Sequence, residues 1–168
     1  MRTHARFATS LAALLIFCLA QSAYAAEKKT VTFVNKFGTV LQRNLLSVPD
    51  REGHEIGAQM RVDTSSSADA EWDGATNTVI GQFDFVKGCG GVWGYSVRTF
   101  KNGDKVFIKY KGNLKRSGEG DQWQTVGEGT EEIYGGTGKF ANIKGTGTFT
   151  IQINPAGGVA TNTVEVEY

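Results

Sequence analysis

The dipeptide Asn102-Gly103 restricts this chain more than any other pair of residues. It separates residues 95–100 from residues 105–111, two runs rich in β-formers. A turn of this kind needs positive φ, which Asn and Gly supply, so the segment predicts a hairpin. In its second arm Val106, Ile108 and Tyr110 share one face. Lys105, Lys109 and Lys111 share the other, with Phe107 the apolar exception. That alternation describes a half-solvated strand.

Strands are expected along most of the remaining chain. Residues 30–34 and 40–47 come first. Residues 54–63 place His54, Ile56, Ala58, Met60 and Val62 opposite Glu55, Gln59, Arg61 and Asp63. Ser65-Ser66-Ser67 reads as a loop. Residues 78–86 are apolar on both faces except for Gln82 and Asp84. Residues 92–100 align Trp93, Tyr95 and Val97. Residues 122–134 carry Val126, Glu128 and Tyr134 in phase. Residues 146–153 align Phe149, Ile151 and Ile153. After the turn at residues 154–158, Val164, Val166 and Tyr168 share a face of residues 159–168. Eight or nine strands with short connections, and no convincing amphipathic helix, define an all-β chain. A closed antiparallel eight-stranded barrel removes the exposed edges of such a sheet. A two-sheet sandwich is the second arrangement considered.

The amino terminus has the three-part layout of an export signal. Arg2, His4 and Arg6 precede the apolar residues 11–20, and Ala23-Tyr24-Ala25 offers small residues at the two peptidase positions. The apolar run is shorter than the roughly 20 residues a membrane-crossing helix needs. Cleavage is expected after Ala25. Cys18 falls in the discarded part, and bulky Phe17 argues against a lipoprotein site. The domains are then a signal at residues 1–25 and one barrel at residues 26–168, a periplasmic or secreted protein. Of 18 Lys and Arg, removing Arg2 and Arg6 leaves 16, against 17 Asp and Glu. That balance disfavours nucleic acid as a partner, and no other stretch suits membrane insertion by a helix. The basic cluster Lys105, Lys109, Lys111, Lys115 and Arg116 reads as a solvated face.

All 22 glycines follow the signal. Gly135, Gly136 and Gly138 mark a tight corner that side chains would block. Lys139–Ile143 is expected to form one helical turn that plugs a barrel end with Phe140 and Ile143. The stretch Tyr134-Gly-Gly-Thr-Gly-Lys-Phe140, followed by a Gly-containing strand, resembles the corresponding stretch of allene oxide cyclase-like and dirigent-like barrels. The Asn102-Gly103 hairpin and the order of the strands fit the same resemblance, which covers about residues 40–168. It implies an eight-stranded barrel, assembly as a homo-oligomer (a trimer in the plant members), and a site that holds a flexible apolar molecule in one shape. The catalytic residues of those families are not matched onto this chain one by one, so the resemblance carries fold and not activity. The Gly-Gly-Thr-Gly text lacks the spacing of a phosphate loop.

Few chemistries remain. After the signal there is one histidine, His54, and one cysteine, Cys89. A zinc site of Cys and His ligands is excluded, no internal disulfide can form, and neither metal nor cofactor is expected. Cys89 reads as a small structural thiol and His54 as a hydrogen-bonded structural residue. Asp63, Asp69, Glu71 and Asp73 match no calcium-loop spacing. Glu128 and Asp84 interrupt apolar patterns. Facing a dry interior, either would have a raised pKa and act as acid or base. Trp93, Tyr95 and Tyr134 are the candidate aromatic walls of a pocket. The leading expectation is a barrel that encloses a small apolar or aromatic molecule. The alternatives are a cyclase, isomerase or tautomerase-type enzyme using an interior carboxylate, and a structural or interaction protein with a filled barrel. The state of the interior decides among them.

Overall fold

Gly103 adopts φ 87°, and the loop around it closes with a hydrogen bond from Phe100 N to Asp104 O at 2.9 Å. Asn102 also bonds Asp104 through both its amide atoms. The hairpin read from the sequence is therefore present. It joins β4 (Cys89–Thr99) to β5 (Lys105–Ser117) in the computed structural model, which describes residues 28–168. The expected export signal, residues 1–25, lies outside the described residues.

The other strands are β1 (Lys28–Ser47), β2 (His54–Ser67), β3 (Thr76–Val86), β6 (Gln124–Gly136), β7 (Lys144–Asn154) and β8 (Gly157–Glu167). Every strand pairs antiparallel with its sequence neighbour. Pairing of Lys28–Lys36 with Val159–Glu167 then closes the sheet into an eight-stranded barrel. The two segments expected at 30–34 and 40–47 are one strand, bent by irregular register between Lys36 and Thr39 and between Val40 and Gln42. Ser65, Ser66 and Ser67 are not a loop; they continue β2 and pair with Asn35, Val34 and Phe33. The three serines alternate across the wall: Ser65 is buried and accepts from Arg98, whereas Ser66 is exposed.

The barrel has one packed end. Trp72, Phe140 and Ile143 are fully buried there, with Phe33, Phe100, Val106, Ile133, Val164 and Val166 around them. The 3-10 turn Gly138–Phe140 inserts Phe140 between Phe100 (ring centroids 4.5 Å apart) and Trp72 (5.9 Å). The expected plug by Phe140 and Ile143 is thus observed. Trp72, from the β2–β3 connection, is its unforeseen centre.

Candidate functional site

Above the plug the interior is not filled. A cavity of about 490 Å³ runs from mid-barrel toward the end bearing the β1–β2, β3–β4, β5–β6 and β7–β8 turns. Two opposed patterns shape it. Phe37, Val79, Phe83, Phe85, Phe149, Ile151 and Ile153 form apolar walls, whereas Asn35, Asn77, Ser96, Glu131 and Asn162 form a polar belt on the side of the plug. Inward glycines make the space. A Cβ at Gly112 or Gly129 would strike the Phe149 ring, and one at Gly81 would strike the Tyr110 hydroxyl. Charged groups stand toward the mouth. Arg116 lies 4.2 Å from the Trp123 ring centroid, and Arg43 lies 5.7 Å from that of Phe83.

The belt is where the electrostatics are unusual. Arg98 is wholly buried. Its Nη2 donates to Ser65 Oγ at 2.7 Å and to the Trp72 carbonyl at 2.8 Å, and its guanidinium lies 4.0 Å from the Phe33 ring centroid. Its Nε and Nη1 find no partner in the protein. Burial lowers its pKa to about 10. Glu131 is nine-tenths buried, and that burial pushes its pKa up to about 8 although the Arg98 charge pulls the other way. Its Oε1, Asn35 Oδ1 and Asn77 Oδ1 have no hydrogen-bond partner. A group of this kind, polar and unsatisfied beneath apolar walls, suits a molecule that brings its own hydrogen bonds. Asp63 is buried too, but Arg61 Nε pairs it at 2.9 Å and Gly38 N donates to it.

The residues expected to line the pocket are placed elsewhere. Glu128 is exposed on the outer wall, opposite Asn113 and Thr150. Asp84 also faces outward and accepts a 2.9 Å bond from His54 Nε2. Trp93, Tyr95 and Tyr134 are 42%, 49% and 46% exposed. Tyr95 and Tyr134 do come together, edge to face at 6.3 Å, but on the outside; Trp93 donates to Gln82 there. The expectation that Glu128, Trp93 and Tyr95 share one cavity is therefore corrected. The physical reason is that β2, β4 and β6 turn their polar and glycine positions inward. In β6 those are Thr125, Gly127, Gly129 and Glu131, while Val126 and Glu128 face out.

Glu131 was not singled out from sequence. The available signal was its phase with Ile133 and with Gly127 and Gly129. Small residues at alternating positions mark the concave side of a strongly curved strand. Of the four acids considered for calcium, Asp63 points into the barrel, while Asp69 and Glu71 pair with Lys29 and Lys139 at 2.5 and 2.7 Å. Among the described residues no set of three or more His, Cys, Asp or Glu side chains is placed to hold a metal ion. Cys89 opens β4 and accepts a bond from Arg116 N at 3.3 Å.

Fold and cavity define a class: a closed eight-stranded antiparallel barrel, plugged at one end and hollow toward the other. No protein-family model and no curated protein matches the chain.

Proposed function

We propose that this protein is an exported carrier or receptor for a small apolar or aromatic molecule, held inside the barrel with its polar end toward the belt. One observation carries the reading: a cavity of about 490 Å³ whose walls are apolar and whose floor is polar and unsatisfied. That size falls within the range of small-molecule sites, roughly 300–1,000 Å³. A barrel kept only for stability would gain from filling this space, since empty apolar volume costs stability. The resemblance to allene oxide cyclase-like and dirigent-like barrels points the same way, as does the export signal read in residues 1–25.

The test is native mass spectrometry of the protein from its own compartment, followed by titration with an environment-sensitive apolar dye. A retained small molecule, or dye bound at one displaceable site, is expected. Ala160 faces the cavity, and Ala160→Trp should abolish dye binding while the circular dichroism stays β-type. Dye binding unaffected by this filling variant would place the binding outside the barrel and defeat the reading. Amino-terminal sequencing should find Ala26 as the first residue.

A second reading is favoured by Glu131 alone. A carboxyl that keeps its proton near neutrality inside a ligand cavity is equipped for general acid–base work, as in an isomerase or cyclase. In that case Glu131→Gln lowers turnover by about a hundredfold or more while ligand affinity changes little.

A further inference from the structure

β1 outruns the barrel. β8 pairs with it only over Lys28–Lys36, whereas β2 pairs with it as far as Ser47. Among the described residues, positions 39–47 therefore have no strand on their second side. Ten consecutive residues, 38–47, are exposed, and they include Val40, Leu41, Leu45 and Leu46 at 50%, 58%, 45% and 66%. An edge of this kind presents a row of unpaired backbone N–H and C=O groups. Natural edges are blunted by Lys, Pro, bulges or short length. This one has a bulge between Val40 and Gln42, no Pro and no Lys.

We infer that this edge is a strand-addition site for a second copy of the same chain, paired antiparallel about a two-fold axis near Arg43. The sequence selects the occupant. Val40-Leu41-Gln42-Arg43-Asn44-Leu45-Leu46 is a palindrome in chemical character. Antiparallel self-pairing centred on Arg43 places Gln42 opposite Asn44 and Leu41 opposite Leu45 of the other copy, and the bulge at Leu41 ends the regular pairing before Val40. Apolar residues meet apolar ones and amides meet amides, as an isologous interface requires. The like charges at the centre are the one conflict. It is relieved because each Arg43 guanidinium is drawn over the Phe83 ring of its own barrel, 5.7 Å from the centroid. The two copies would then join beside their cavity mouths, with eight strands of each barrel continued across the axis.

Sedimentation velocity over a concentration series tests this on the purified protein. A monomer–dimer equilibrium is expected. The pair Leu41→Lys with Leu45→Lys, both at exposed positions, should shift it to monomer without changing the circular dichroism. A chain that stays monomeric at all concentrations, forms trimers, or dimerises equally well with both lysines would overturn the proposal. Arg43→Cys in a Cys89→Ser background supplies a geometric check. Residues opposite one another in an antiparallel pair lie about 4.5–5.5 Å apart at Cα, within disulfide range. Mild oxidation should give a covalent dimer in high yield, whereas Glu128→Cys in the same background should not; equal cross-linking at both positions would also count against the interface.

Discussion

The guanidinium of Arg98 is stacked on Phe33 at 4.0 Å and tied by Nη2 to Ser65 and to the Trp72 carbonyl, so that one fully buried cation joins β4 to β2 and to the β2–β3 connection. A planar, delocalised ion can stack and bond in this way at once; an ammonium cannot. Arg98→Lys is therefore expected to cost about 2–3 kcal/mol of stability in urea unfolding, through lost bonds and a poorly solvated buried charge. A change under about 0.5 kcal/mol would mean that the stack and the two bonds contribute nothing.

Glu131 ties stability to pH. Its ordinary value is 4.5, and burial raises it to about 8 in the folded protein. The folded state thus keeps a proton that the unfolded chain releases. Stability from this source is complete below 4.5, declines across the interval, and is gone once pH has passed about 8. Glu131→Gln has no such proton to lose. Relative to this variant, the wild type should weaken between pH 4.5 and 8 by on the order of a few kcal/mol, at roughly 1.4 kcal/mol per pKa unit. Parallel pH profiles for the two proteins would place Glu131 in contact with water.

Gly138 and Gly103 separate two penalties that are often merged. Both have positive φ, 59° and 87°. A Cβ at Gly103 meets nothing, whereas one at Gly138 runs into the Asp104 carboxylate. That carboxylate also accepts from Lys139 N and Asn102 Nδ2, which holds the corner to the neighbouring hairpin. Gly103→Val should show strain alone, about 1 kcal/mol, and Gly138→Val at least about 2 kcal/mol. Equal effects in thermal unfolding would remove the steric part of the argument.

How much of this the sequence disclosed depends on what set each strand's phase. β5, β7 and β8 were legible, since Val106, Ile108 and Tyr110, Phe149 and Ile151, and Val164 and Val166 do face inward. There the apolar residues keep to one face, with Phe107 and Val159 the exceptions. β2, β4 and β6 were inverted. Met60, Trp93 and Val126 look like core by hydrophobicity alone, yet the inner side of those strands is given to Arg61, Ser96 and Glu131. A hollow barrel reverses the ordinary rule locally: its wall needs small or polar residues where a filled core would need large ones. The plug is legible because Phe140 and Ile143 are spaced three apart on one turn. Trp72 is not legible, because it lies in a polar connection with no alternation to mark it.

His54 connects the mouth to pH in the opposite structural setting, on the rim. Its Nδ1 meets Asp50 and its Nε2 meets Asp84 at 2.9 Å. Only an imidazolium donates from both nitrogens. The bond to Asp50, and then that to Asp84, raises its pKa. The clasp fastens the β1–β2 turn to β3, beside Lys87, whose N donates to Gly53 O at 2.8 Å and whose Nζ pairs with Glu52 at 2.8 Å. Because the folded value is raised, the clasp is complete below the ordinary histidine pKa of about 6.5 and weakens as pH rises through the higher folded value. A nuclear magnetic resonance titration of the His54 ring should give a midpoint above 6.5. Asp50→Asn should lower that midpoint more than Asp84→Asn does, since the Asp50 bond makes the larger contribution. A midpoint at or below the ordinary value would show that the ring is neutral and that no charged clasp holds the turn.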